Sequence, residues 1–502
     1  MLEFREKYRA GTPLFLQNKW VIFFMVTLST MLDLLSVSSL LVSTKFIHQH
    51  YHVSPAVASW TLSAYAVTFS GFIAFQGRVG DIIGHDIQFI LNSIFFAIAS
   101  LICALVDNIY VYIVFRAIQG IGAAGLVPSN YAITANLFQG KQLNITLVFL
   151  NSVLGISAAL GMLIGGAFLT TGVNQHGIGY VTCAISLILG IIAFFSFPQI
   201  TRSKDKLKNL DYLGSIILIS GLLLIIVGFT EGGESWKSPK SYVILIIGFI
   251  LVLCFFIFEN YLALRFFPDT HLLIPPMVWK IPNFTPLVVI SILNFSGYFG
   301  NMFVNTSYSL NIDGVSPLVA AVRYLPFIVT MLVVTFFLAL SYGKVSEKWI
   351  STLGFLIGTG GLVVLSRMNY RIDNYYWKFS FTGQIALALG SCLYFVHYLN
   401  MIITATPLEV QGIVSGIAQT FAQFGIALSF AVITSIVGDR ATEKESLHQK
   451  YQYGSYFCLA CYALGTLLLL LFVRDVKEEE KIDIHAIKYD DKSLKEEIAP
   501  NV

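Results

Sequence analysis

The chain has 502 residues, 56% hydrophobic and 12% charged, with a mean hydropathy of +0.75; soluble domains carry about 25% charged residues. This composition excludes a water-soluble globular fold, and a net charge of +3 is too small to point to nucleic acid. The 41 Phe and 39 Gly fit a packed helical membrane protein, where small residues let helices approach closely.

A helix crossing about 30 Å of hydrocarbon needs roughly 20 mostly apolar residues. Fourteen runs qualify, in chain order Trp20 to Phe46, Val57 to Phe75, Ile87 to Val106, Ile109 to Leu137, Ile145 to Thr171 and Ile178 to Phe197; then Leu210 to Phe229 and Tyr242 to Leu262; then Phe284 to Ser307, Pro317 to Ser341, Trp349 to Leu365, Phe379 to Ala405, Val410 to Val437 and Tyr453 to Val473. The first run is too long for a signal-peptide core and is expected to stay as a span. The six cysteines all lie in such runs. Cys458-x-x-Cys461 has no neighbouring base or His, so the cysteines read as inert reduced core residues, and no metal or other cofactor is expected.

An even number of spans puts both termini on one side. With the termini inside, inside segments hold 20 basic residues and outside segments nine, which favours cytosolic termini. The expected organisation is a cytosolic segment 1–19, a six-helix half 20–197, a connector 198–209, two linker spans 210–262, a second six-helix half 263–473 and a charged cytosolic tail 474–502.

An internal repeat supports the halves. Gly77-Arg78-Val79-Gly80-Asp81 lies between spans two and three, and Gly343-Lys344-Val345-Ser346-Glu347 lies between spans ten and eleven, 266 residues later. The glycine would allow a tight turn and the acid would sit near a helix terminus or a basic side chain. Gly77, Arg78, Asp81, Gly343, Lys344 and Glu347 therefore read as a cytosolic gate. Span five carries Gly161, Gly165 and Gly166 and span thirteen Gly412 and Gly416, at spacings that suit close helix packing.

Three segments now resemble the major facilitator superfamily, and within it the fourteen-span drug:proton antiporters. Gly77 to Asp86 is similar to the loop signature G-x-L-A-D-R-x-G-R-K, Arg116 to Ala124 to R-x-x-Q-G-x-G-A-A in span four, and Gly161 to Gly166 to G-P-x-x-G-G in span five. Asp211 and Gly214 opening span seven, Trp236, Glu259, and Ser316-Pro317 with Arg323 and Pro326 also match. Ile82, His85 and Asp86 stand where the loop signature has basic residues, and Met162 stands at the antiporter proline. The span-four pattern is closest to fungal aminotriazole and borate exporters and low-affinity ammonium transporters. The resemblance implies an all-α membrane fold of fourteen helices, two six-helix halves around a central cavity plus two linker helices.

Charges inside spans carry the functional expectation, because each costs about 2.5 to 3.5 kcal/mol on insertion scales. Asp33 lies about 20 Å from the cytosolic start of span one and Arg116 about 10 Å from the outer start of span four, depths that coincide. In the resembled fold both spans line the cavity, so a pair of Asp33 and Arg116 is expected to couple protons, with His397 of span twelve as a further candidate. Arg323 is expected to snorkel to the outer interface. Gln119, Asn130, Tyr131, Asn151, Asn294, Tyr298, Asn301, Gln419 and Gln423 would line the cavity. Gln419 and Gln423, four apart beside Phe421 and Phe424, are the leading substrate contacts.

No G-x-x-x-x-G-K-[ST] occurs, so protons are the expected energy source. The expected function is a monomeric, proton-coupled exporter of small organic or toxic solutes, in the plasma membrane or else the vacuolar membrane. The alternatives are an uptake carrier for a small polar solute such as ammonium, an intramembrane acyltransferase using His397 and Asn400, and a nontransporting sensor.

Overall fold

The computed structural model describes residues 13–200, 207–266, 270, 272–341, 346–404, 406, 411–438 and 444–475. Gly343 and Lys344 of the second loop repeat and the tail beyond residue 475 lie outside them. The described residues form helices throughout, fourteen of them long and apolar enough to cross a membrane. Helices are what such sequences must form in lipid, where every backbone N–H and C=O needs an internal partner.

The spans are α1 (Lys19–Leu41), α2 (Pro55–Ile83), α3 (His85–Leu105), α4 (Ile109–Leu137), α5 (Gly140–Thr171), α6 (His176–Ser196), α7 (Tyr212–Ser235), α8 (Pro239–Ile257), α9 (Phe284–Asn311), α10 in two segments (Pro317–Val322 and Leu325–Ser341), α11 (Glu347–Leu365), α12 (Phe381–Thr404), α13 (Gln411–Val437) and α14 (Lys444–Phe472). Local chemistry sets their starts. Asn18, Ser54, Asn108, Asp211 and Ser316 each accept a hydrogen bond from a first-turn N–H, and prolines follow Ser54 and Ser316.

Three boundaries differ from the sequence expectation. The first apolar run is two helices, α1 ending at Leu41 and a short helix at Thr44–His50. α10 is interrupted at Arg323 and Tyr324. Gly77 makes no turn: residues 77–81 are the last part of α2, which runs on to Ile83 before Gly84 breaks it at φ 95°. Only a glycine takes that backbone angle without strain.

The same pairings recur in the first and last six spans. α1 packs on α5, α2 and α3 on α4, α3 on α6 and α1 on α6; correspondingly α9 packs on α13, α10 and α11 on α12, α11 on α14 and α9 on α14. The two sets meet along two seams of the same kind, α2 with α13 and α5 with α10. α7 lies beside the first seam, touching both α2 and α13, and α8 packs on α7.

Glycines make several of these contacts possible. A Cβ on Gly161 would stand 2.4 Å from the Leu35 carbonyl, one on Gly165 2.4 Å from that of Ser39, and one on Gly166 2.9 Å from Leu318 Cα across the α5–α10 seam. Gly416 differs: no described atom lies within 4 Å of its Cβ position, so it faces open space rather than a helix. Gly412 lies in α13, with surroundings outside the described residues.

Candidate functional site

The centre of the first six spans is a buried polar network assembled from i, i+3 and i, i+4 pairs on three helices. Asp33 and Ser36 lie on one face of α1, Thr61 and Tyr65 on one face of α2, and Arg116 and Gln119 on one face of α4. Tyr65 Oη donates to Asp33 Oδ1 at 2.5 Å, and its ring lies 4.4 Å beneath the Arg116 guanidinium. Arg116 donates through Nε to the Thr61 carbonyl at 3.0 Å, and through Nη1 to Ser36 Oγ at 2.8 Å and to Gln119 Oε1. Gln119 Nε2 donates to Ser100 Oγ at 2.6 Å.

Asp33 and Arg116 are therefore brought together, but through Tyr65 rather than as a direct ion pair. Both are buried, at 5% and 1% exposure, yet each keeps one atom, Asp33 Oδ2 and Arg116 Nη2, with no hydrogen-bond partner among the described residues. Buried polar atoms are ordinarily satisfied, so a guanidinium nitrogen and a carboxyl oxygen held bare on either side of one tyrosine make this network the candidate site.

The centre of the last six spans is built from aromatic rings and amides. Asn294 Nδ2 donates to Tyr462 Oη at 3.2 Å, and Ser391 Oγ lies 2.7 Å from the same hydroxyl. Tyr298 stacks on Phe327 with centroids 5.0 Å apart. Asn305 Nδ2 donates to Asn301 Oδ1 at 2.8 Å. His397 is 3% exposed, and neither ring nitrogen has a hydrogen-bond partner among the described residues. The side chain of Asn400 lies outside the description.

One hydrogen-bonded chain spans both sets: Tyr398 Oη donates to Gln419 Oε1 at 3.2 Å, and Gln419 Nε2 donates to Tyr131 Oη at 2.8 Å. Of the expected cavity residues the structure thus joins Tyr131 with Gln419. Gln423 is buried one turn further along α13, with Phe421 and Phe424 half-buried. Asn130 instead ties α4 to Thr30 of α1 at 3.0 Å. Asn151 lies in α5 with its side chain outside the description.

Among the gate residues, Arg78 Nη1 is 3.9 Å from Asp81 Oδ2, and Arg78 Nη2 donates to the Leu272 carbonyl at 2.7 Å. His85, at a position of the signature that is otherwise basic, sits 3.1 Å from Asp81 Oδ1 and so restores a partner for that acid. Glu347 stands in the first turn of α11, where a negative charge suits the helix dipole. Arg323 does not simply snorkel. It donates to Asp313 Oδ2 at 2.7 Å and lies 5.2 Å from the Tyr376 ring centre, closing the break in α10.

The sequence reading missed Tyr65, Ser36, Thr61, Ser100, Tyr398 and Tyr462. All are uncharged hydroxyls within apolar runs. For Ser36, Thr61 and Tyr65 the one signal is spacing, three or four residues from a network partner on the same helix face; Ser100, Tyr398 and Tyr462 find their partners on other helices and carry none.

Comparisons with known proteins identify the family and the fold. The model of the Major Facilitator Superfamily matches residues 26–430. A multidrug transporter protein of Bacillus subtilis, MdtP, is 24% identical over 78% of this chain and 71% of its own. The aminotriazole resistance protein of Saccharomyces cerevisiae is 22% identical over 83% and 78%, and the low affinity ammonium transporter of the same yeast 25% identical over 75% and 73%. The crystal structure of the human organic anion transporter MFSD10 matches in fold with a TM-score of 0.59 at 15% identity, over 90% of this chain and 99% of that one. The paired helix sets, the three motifs and the match over most of the chain lead to one conclusion: this chain is an integral membrane transporter, not an enzyme, and belongs to the Major Facilitator Superfamily.

Proposed function

We propose that the chain is a proton-coupled carrier that exports small organic or toxic solutes by alternating access. The observation that carries this reading is the pair of bare polar atoms on either side of Tyr65. In this reading a proton lands on Asp33 Oδ2. Neutralising Asp33 removes the anion that holds the Tyr65 hydroxyl, and so changes how the ring and the Arg116 guanidinium sit between α1, α2 and α4. α1 is in backbone contact with α5, and α5 lies on a seam with the last six spans, so a shift of α1 has a path to that seam.

In the same reading the two sets of six spans are the moving bodies, hinged along the α2–α13 and α5–α10 seams. The aromatic and amide lining of the last six spans, with Tyr131 and Gln419 between the sets, receives the solute. The membrane is the plasma membrane, with the chain acting as a monomer and its termini in the cytosol, the side favoured by the basic residues. Names of relatives such as the multidrug and aminotriazole resistance proteins support export.

A second reading is uptake of a small polar solute such as ammonium. It draws support from the ammonium transporter's similarity and from Met162, which is fully buried in place of the antiporter proline and faces Thr306 of α9, with Thr306 Oγ1 3.6 Å from Met162 Sδ. Transport by purified protein in oriented vesicles under an imposed proton gradient separates the two. Solute accumulating inside inside-out vesicles with an acidic lumen supports export. Accumulation only in right-side-out vesicles supports uptake, and indifference to the gradient removes proton coupling from both.

A further inference from the structure

Two carboxylic acids outside the central network are buried where α7 begins and just past the end of α8, at the same end of the bundle as the start of α1 and the end of α14. Asp211 is 4% exposed and Glu259 1%. Asp211 Oδ1 caps α7 by accepting from Gly214 N at 2.7 Å. Glu259 lies in a π-turn, Phe258–Leu262, and its Oε1 accepts from the backbone N–H groups of Leu273 at 2.9 Å and Ile274 at 3.3 Å.

That occupies one oxygen of each acid. Asp211 Oδ2 and Glu259 Oε2 have no donor among the described residues, and the two carboxyl groups are neighbours where Ile217 of α7 packs against Phe258, each acting on the other. Two ionised carboxylates cannot hydrogen-bond to each other, and two uncompensated negative charges buried side by side are costly. One shared proton resolves both problems.

Among the described residues no cationic side chain donates to either bare oxygen. Phe258 and Leu272 pack together there with Ile217 against them, α13 contributes no charged residue, and the 272–274 segment offers only backbone N–H groups. Among the described residues, the cationic side chains of the adjoining segments are Lys208, Arg265 and Lys280, and from α2 Arg78, whose Nη2 is on the Leu272 carbonyl and whose Nη1 neighbours Asp81, itself beside His85. Burial holds the Asp211 carboxyl above its ordinary value, against the Gly214 N–H and the Glu259 carboxyl, which pull it down.

We propose that Asp211 and Glu259 form a proton-binding site that holds one proton between them, and that this proton keeps the 272–274 segment clamped between Glu259 and the Arg78 end of α2. Loss of the proton leaves two repelling charges at the base of α7 and α8 and loosens the clamp. The site then senses pH at the end of the bundle where α1 starts and α14 stops, and reports it to the end of α2 that carries Arg78 and Asp81. That consequence for transport rests on the carrier reading above; the site itself does not.

The test uses the full chain in lipid nanodiscs. Infrared spectra recorded from acid to alkaline pH should show, at neutral pH, a protonated-carboxyl C=O band in the wild type that is lost in both Glu259→Gln and Asp211→Asn. Identical spectra for wild type and Glu259→Gln would overturn the proposal. Thermal unfolding gives the second readout. The native state holds a proton that unfolded carboxylates release, so wild-type stability should fall as pH rises from the ordinary carboxylate range through the raised value.

Glu259→Gln, whose amide can still donate to Asp211, should lose that pH dependence while keeping the wild type's stability at acid pH. If sodium or magnesium chloride at constant ionic strength abolishes the alkaline loss in wild type, the occupant is a metal cation and the proton site is overturned. Neither readout needs a substrate, so a failure of the carrier reading would leave both interpretable.

Discussion

The centres of the first and last six spans share one set of helix pairings and differ in chemistry. The first is ionic and tightly hydrogen-bonded: Arg116 alone makes three hydrogen bonds and carries the Tyr65 ring beneath it. The last has no charged side chain at its centre among the described residues; its polar atoms there are amides, hydroxyls and one histidine set among stacked rings. In the carrier reading proposed above, the duplicated scaffold separates two tasks: the buried charge network is the part that answers to protons, and the aromatic and amide surface the part that accommodates solutes through shape and a few adaptable hydrogen bonds.

The largest effect on this contrast should come from Asp33→Asn. The variant keeps an acceptor for Tyr65 and hence the packing, but its amide cannot take up a proton. Proton-driven transport in oriented vesicles should fall to background while expression and thermal stability stay near wild type. Retained gradient-driven transport would remove Asp33 from the coupling reaction and erase the proposed division between the halves.

Next in size is a packing test of the same division. Gly165→Ala places a methyl group 2.4 Å from the Ser39 carbonyl, on backbone that cannot swing aside, so α1 and α5 must separate. Overpacking of this kind costs about 1 to 3 kcal/mol. Gly416→Ala meets nothing within 4 Å among the described residues, and replacing a helical glycine should be neutral or slightly stabilising. Thermal unfolding of the two variants in detergent should therefore diverge; equal losses would mean that α13 is packed as tightly as α5.

Tyr65→Phe keeps the ring under Arg116 and removes only the hydroxyl held by Asp33. Hydrogen bonds to charged groups are worth about 1.5 to 3 kcal/mol, which converts to a loss of about tenfold or more in the proton-dependent rate. The expected signature is an altered pH profile with an unchanged solute KM. The converse is expected of Gln419→Ala, which cuts the Tyr398–Gln419–Tyr131 chain: KM should rise about fivefold, the value of one neutral hydrogen bond, with the pH profile unmoved. If both variants change the same parameter, the two centres are not separate in function.

Much of this was legible in the sequence because lipid makes the rules strict. Fourteen apolar runs became fourteen spanning helices, and the depth argument for Asp33 and Arg116 put them in one network. What the runs concealed was what joins them. Tyr65 looks like any aromatic of a hydrophobic span, and nothing in composition says that its hydroxyl stands between an acid and an arginine. The loop repeat misled for a similar reason. Gly77 suggests a turn, but a glycine flanked by helix formers in a buried span can simply continue the helix, and the break falls at Gly84, where the backbone angle demands glycine.

The smallest expected effect belongs to His397, and it tests whether the aromatic half is free of proton chemistry. The imidazole is buried and has no hydrogen-bond partner among the described residues, so no acid is in place to stabilise a charged ring. Asp33, by contrast, has Tyr65 and Arg116 arranged around it. A histidine that stays neutral through the cycle contributes volume and polarity, both of which glutamine largely retains. His397→Gln should thus leave the transport rate within about twofold, less than the loss of one ordinary hydrogen bond, and should not move the pH profile. A shifted profile would place a second titrating group in the last six spans and make the carrier's proton path cross both halves.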